Sequence, residues 1–129
     1  MPNVNALVLT GYGLNCDGET AFALEQAGAR AQRVHINELV EGGVRLEDFE
    51  LLVFIGGFGW GDDHGASVIQ ALRMKTAMGP RLIDFVASGR LVLGICNGFQ
   101  ALVNLGLLPG FDGDYRTRAV ALTANACGN

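Results

Sequence analysis

The residues best suited to chemistry lie in Gly94-Ile95-Cys96-Asn97-Gly98-Phe99-Gln100. An apolar run, Leu91 to Ile95, leads straight into a segment of helical periodicity, and a cysteine stands at the junction. That is the layout of a nucleophile elbow. A sharp strand-to-helix turn lifts the side chain clear of the sheet, and glycines two before and two after it relieve the crowding. A cysteine there faces backbone N–H groups and the positive end of a helix dipole, a setting that suits an attacking thiolate. The same N–H groups can hold a developing oxyanion. A free cysteine is more often a small buried filler. The strand, the helix and the paired glycines favour the nucleophile at Cys96.

A second cluster is Gly56-Gly57-Phe58-Gly59-Trp60-Gly61-Asp62. It follows the apolar run Leu51 to Ile55, and its glycines let backbone approach a ligand closely. Its Gly57 N–H is placed to serve as an oxyanion donor beside the Asn97 N–H. The cluster lacks the Lys and Ser/Thr of a P-loop and does not fit a dinucleotide fingerprint. Asp62 and Asp63 with His64 make a thin set for a metal, so no metal site is expected, and a solvated loop or a partner contact fits the two aspartates better.

These clusters need a scaffold that brings strand ends together. Asn5 to Thr10 reads as a first strand ending at Gly11-Tyr12-Gly13. A helix from about Gly18 to Ala27 follows, capped by Asn15 or Asp17, with Ala21, Leu24 and Ala27 as its buried stripe. Ala31 to Ile36 is a more polar strand nearer an edge, and it places His35 on the polar alternation. Leu51–Ile55 and Leu91–Ile95 read as central strands covered on both faces. Val68–Met78 and Pro80–Ala87 read as two helical segments broken at Gly79-Pro80. Asn97–Leu105 is a helix closed by Gly106, and Ala119–Thr123 reads as a further strand. Strands alternating with helices predict an α/β, three-layer, flavodoxin-like parallel sheet with right-handed crossovers. Ligands bind such sheets beyond the carboxyl ends of the strands, so the loops after Thr10, Ile55 and Ile95 should meet at one edge.

The 129 residues suffice for one core and show no repeat or linker, so residues 1–129 read as one domain. A net charge of −4 speaks against a nucleic-acid surface or a polybasic membrane anchor. No apolar run approaches the roughly 20 residues of a bilayer span. Met1-Pro2-Asn3-Val4 lacks the start of a signal peptide, and a cytoplasmic location is expected. Three cysteines, Cys16, Cys96 and Cys127, have no paired spacing and predict neither a disulfide framework nor a zinc site.

Three stretches together resemble one family. They are Gly13-Leu14-Asn15-Cys16-Asp17, the Gly56–Asp62 loop and the Gly94–Gln100 elbow, supported by Ala101-Leu102 and Gly106-Leu107-Leu108-Pro109-Gly110. Spread in order over nearly the whole chain, they resemble the glutaminase subunits of phosphoribosylformylglycinamidine synthase, within the class I glutamine amidotransferases. The elbow alone points to the superfamily, and the Asn-Cys-Asp and Gly-Gly-Phe pieces point to the subunit. The resemblance implies that Cys96 attacks the side-chain amide of glutamine, that Gly57 and Asn97 N–H groups hold the oxyanion, and that Gln100 and Gly56 contact the bound glutamine. It implies a structural Cys16. It further implies no cofactor in this chain, and a synthetase subunit as partner that uses ATP and Mg with the released ammonia. The family completes a Cys-His-Glu triad downstream of the elbow. No His-x-Glu pattern follows Cys96, and the histidines here are His35 and His64, so the chain is expected to be the N-terminal portion of a longer domain. A sheet lacking its last strands would leave an unpaired edge through which a homo-oligomer could form.

Two other readings compete. A cysteine-elbow protein of the DJ-1/PfpI type usually has His or Ala after the cysteine and an acidic residue in an early helix, whereas Asn97 follows here. A flavodoxin-like binding or scaffold domain would be inert for want of a general base, and flavin binding would call for a Ser/Thr-rich phosphate grip, which Gly11-Tyr12-Gly13-Leu14-Asn15 lacks.

Overall fold

A computed structural model describes residues 3–128. Met1, Pro2 and Asn129 lie outside the described residues, and with them the outer ends of the Met1–Val4 start and the Asn125–Asn129 turn. Strands β1 (Asn5–Thr10), β2 (Arg30–His35), β3 (Leu51–Phe54) and β4 (Leu91–Gly94) form one sheet in the order β2-β1-β3-β4. Every pairing is parallel, with Val8 opposite Val53 and Val53 opposite Leu93. Helices α1 (Asp17–Gln26), α2 (Ile36–Val40), α3 (Val68–Ala87) and α4 (Asn97–Leu105) alternate with the strands.

This order explains the layering. The chain steps one way from β1 to β2 and the other way from β2 to β3 and on to β4. Right-handed crossovers in opposite directions put their helices on opposite faces. Accordingly α1 packs Ala21 and Leu24 on Val8, Val53 and Ile55. The other face carries Leu7, Leu9, Leu52 and Phe54 beneath Ile36 and Leu39 of α2, Met74, Met78, Leu82 and Phe85 of α3, and Leu102 and Leu105 of α4. The result is the three-layer α/β arrangement expected from the sequence. The direction of stepping reverses between β1 and β3, so the crevice used by ligands in such sheets opens there.

Several expectations change in the structure. The segments 68–78 and 80–87 are one helix with Pro80 inside it. Proline removes one backbone bond at a cost of about 3 kcal/mol. Met74, Met78, Leu82 and Phe85 continue a single buried face across Pro80, and that burial outweighs the loss. Ala119–Thr123 is not a strand. Those residues are irregular and exposed, because a strand needs a partner and they do not pair with β4. Hence Leu91–Ile95 is an edge strand instead of a central one. Its α1-side face leaves Leu91, Leu93 and Ile95 at 68%, 43% and 45% exposure, since α1 reaches no further than β3.

Smaller differences have local causes. Neither Asn15 nor Asp17 caps α1; Cys16 occupies that position with no side-chain bond to the helix. Asp17 instead pairs with Arg33 at 3.1 Å. Ala21 is the buried anchor of α1, while Ala27 is exposed because the helix leaves the sheet before that turn. His35 is half-buried: its Nδ1 accepts the Asn37 N–H at 3.1 Å and so caps α2, and its ring meets Tyr12 edge-on at 5.1 Å.

Candidate active site

Cys96 sits at φ 54°, ψ −114°, between β4 and the first turn of α4, and is exposed. A side chain held at positive φ with that ψ is strained by about 1–3 kcal/mol and persists only where its surroundings enforce it. The Ile95 N–H donates to Phe54 O at 3.0 Å, extending the β3–β4 ladder to the elbow. Immediately afterwards Gly98 N–H donates back to Ile95 O at 2.9 Å and Gln100 N–H to Cys96 O at 3.1 Å, closing the helix. The flanking glycines are required by contact. A Cβ at Gly98 would run into the Phe54 carbonyl, and one at Gly94 would lie 2.6 Å from Leu102 Cδ1. Helix α4 therefore starts directly on top of β3.

The loop after β3 is fastened to the loop after β1. Phe58 N–H donates to Gly13 O at 2.8 Å, Trp60 N–H to Tyr12 O at 2.7 Å, and Leu14 bridges Gly57. Gly57 has φ 134°, and a Cβ on it would fall 2.7 Å from Gly13 O, so any side chain would part the two loops. The loops expected to meet do meet. A Cβ built on Gly56 would be 3.5 Å from Cys96 Cβ and 3.6 Å from Cys16 Sγ. Gly56 is thus the floor on which the two cysteines converge. Among the described residues, neither the Gly57 nor the Asn97 N–H donates to a backbone carbonyl in the loops and caps.

Gln100 is half-buried, and its Oε1 accepts from Asn97 Nδ2 at 3.3 Å. Asn97 Nδ2 also donates to Asp62 Oδ1 at 3.0 Å, and Asn97 Oδ1 accepts from Gly59 N–H and the Ser67 hydroxyl. Asp62 is therefore tied into the elbow and not simply a solvated loop residue. Ser67 and Gln70, both fully buried, complete this cluster, with Ser67 Oγ lying 3.2 Å from Gln70 Oε1. Sequence reasoning missed Ser67 and Gln70. The one available signal was a Ser three residues before a Gln at a helix start, the spacing of a capping box. Here the Ser67 hydroxyl turns to Asn97 and Gln70 instead of capping the backbone.

Neither histidine is bonded to Cys96 among the described residues. His35 caps α2, and His64 is exposed at φ 60°. Among the described residues no three His, Cys, Asp or Glu side chains are grouped to hold a metal, and no helix is long and apolar enough to cross a membrane.

A parallel sheet with a strained cysteine elbow and a glycine loop fastened beside it places the chain among the cysteine-elbow α/β domains. The chain belongs to the CobB/CobQ-like glutamine amidotransferase domain family, which it matches over residues 3–129. It is similar to a Methanococcus maripaludis protein named phosphoribosylformylglycinamidine synthase subunit PurQ. The two are 47% identical over 119 residues, covering 92% of this chain and 44% of the relative. A Dehalococcoides mccartyi protein of the same name is 48% identical over 110 residues, covering 85% of this chain and 43% of the relative. A solved structure, described as PurLQS from Thermotoga maritima, superposes with a TM-score of 0.74 at 30% identity over 98% of this chain and 50% of the matched one. The chain spans somewhat under half the length of the curated relatives it matches.

Proposed function

We propose that this chain forms the nucleophile half of a glutaminase that feeds ammonia to a phosphoribosylformylglycinamidine-forming synthetase. The observation that carries the reading is the cysteine held at positive φ between β4 and α4, directly against the Gly56–Gly57 loop. The reading is supported by the relatives named PurQ, and residues 1–129 then belong to one amidotransferase domain, as its N-terminal portion.

In this account Cys96 Sγ attacks the side-chain amide carbon of glutamine. The carbonyl oxygen becomes an oxyanion held by the Asn97 and Gly57 N–H groups, while Gly56 leaves room for the substrate backbone and Gln100 fixes its orientation. Collapse of the tetrahedral intermediate breaks the C–N bond. The nitrogen leaves as ammonia after gaining the proton first lost by the thiol, and Cys96 is left as a thioester. Water then attacks the thioester, releasing glutamate and the thiol. The base that shuttles the proton is the imidazole that the family resemblance places downstream of the elbow, since His35 and His64 stand elsewhere. No cofactor is needed on these residues; the synthetase supplies ATP and Mg chemistry, and the location is cytoplasmic.

In the protein assembled with its synthetase, Cys96→Ser should abolish product formation driven by glutamine and leave formation driven by added ammonia. Full retention of the glutamine-driven reaction overturns the proposal.

A further inference from the structure

The Asn97 side chain is 1% exposed, and every polar valence it has is used. Its Oδ1 accepts from the Gly59 N–H at 3.3 Å and from the Ser67 hydroxyl. Its Nδ2 donates to Asp62 Oδ1 at 3.0 Å and Gln100 Oε1 at 3.3 Å. These partners lie on separate pieces of chain. Gly59 and Asp62 belong to the loop after β3, Ser67 is the N-cap of α3, and Gln100 is one turn further along α4. A carboxamide is the side chain of this length that accepts twice and donates twice from one flat group. One buried amide therefore locks the elbow, the glycine loop and the start of α3 into a single geometry.

We propose that the Asn97 side chain is a positioning residue for glutamine hydrolysis, distinct from the part played by its backbone N–H. It sets the spacing between the two N–H groups assigned to the oxyanion, its own and that of Gly57 two residues before Gly59, and it aims Gln100. The proposal rests on the glutaminase reading above. Asp62 is the outer anchor of the same device. It sits at φ 56° on the kinked turn Gly59–Asp62, and its bond to Asn97 holds that turn over the elbow. Oxyanion donors act only when they lie about 2.7–3.1 Å from the position the oxygen will take. A loop released from Asn97 loses that distance without losing any donor.

The test measures two rates of covalent labelling at Cys96 in this chain, located by peptide mass spectrometry. One reagent is an electrophilic glutamine analogue, which needs the pocket; the other is iodoacetamide, which reports the thiol alone. The ratio of the two rates is the readout. Asn97→Asp keeps the acceptor, loses both donated bonds and sets a second carboxylate beside Asp62; it should lower the ratio about tenfold or more. The double variant Asn97→Asp/Asp62→Asn restores the bond with donor and acceptor exchanged and should recover most of the ratio. Should Asn97→Asp fail to fold, Asp62→Ala carries the test. It leaves Asn97 intact and should lower the ratio several-fold, whereas the conservative Asp62→Asn should preserve it. A purely structural role would lower the melting temperature and leave the ratio where it was. An unchanged ratio in folded Asn97→Asp or Asp62→Ala, with wild-type labelling intact, overturns this proposal alone. Wild-type Cys96 that reacts with iodoacetamide but not with the analogue overturns the claim that these residues form the glutamine pocket, and this proposal with it.

Discussion

Cys96 and Gly57 are the two residues where backbone conformation and chemistry coincide. Cys96 accepts φ 54° because Gly98 lets α4 begin against the Phe54 carbonyl. Gly57 takes φ 134° because the loops after β1 and β3 touch at its Cα. A methyl group at Gly57 therefore meets both a forbidden conformation and a backbone oxygen. Gly57→Ala should destabilise the fold by about 1–3 kcal/mol and slow glutamine-analogue labelling of Cys96 more than iodoacetamide labelling. Thermal melting and labelling rates on the same sample check this; equal slowing by both reagents would remove Gly57 from the pocket. The elbow was legible in the sequence because its requirements are local: a strand, a cysteine, two glycines and a helix in the fifteen residues Leu91–Leu105. The partners of Asn97 were not. Gly59, Asp62 and Ser67 lie 30 to 38 residues away, and nothing in their neighbours says that a buried amide waits for them.

At the scale of elements, α3 shows how tertiary burial overrides a local rule. Gly79-Pro80 reads as a break, yet the buried face from Met74 to Phe85 carries the helix through it. Pro80→Ala should restore the missing N–H and raise stability by up to about 3 kcal/mol. A loss of stability in chemical denaturation would show that the proline geometry is itself needed. The same helix is tied to the turn Leu46–Asp48 by Arg81 and Glu47, whose side chains bond at 3.0 and 2.8 Å. The hydrogen bond from Arg81 holds the Glu47 carboxyl down from 4.5 to about 2. An unfolded chain then binds that proton more readily than the folded one. The contribution of the pair is complete above pH 4.5 and disappears as pH falls through about 2. Both side chains are more than a third exposed, so solvent screening keeps the contribution within about 1 kcal/mol. Acid melting of Glu47→Gln against wild type checks this: the difference should shrink toward zero as pH drops across that window. The parallel α/β alternation and the edge position of β2 followed from the sequence, because parallel strands joined by helices admit few right-handed windings. The error at Ala119–Thr123 has the opposite cause. A short apolar run describes a strand that could form, but pairing depends on an edge offering itself.

For the molecule as a whole, the β4 edge is the exposed apolar feature that matters. Leu91, Leu93 and Ile95 face outward on the side that α1 does not reach, beside an open row of backbone groups. Such an edge is a template for further pairing. This chain should self-associate through β4, and light scattering should find species larger than a monomer. Leu93→Lys should shift the population toward the monomer, and a monodisperse wild-type monomer would contradict the expectation. The pocket and the edge are separable, since the Gly56 floor and the Asn97 cluster lie at the carboxyl ends of the strands.

The most direct test of the account is whether the pocket already exists in these residues. Wild-type chain is incubated with an electrophilic glutamine analogue, with and without excess glutamine, and the adduct is located by peptide mass spectrometry. The account predicts an adduct on Cys96, suppressed by glutamine, with Cys16 and Cys127 left largely unmodified. Equal labelling of the three cysteines, or a Cys96 adduct that glutamine does not suppress, would contradict it.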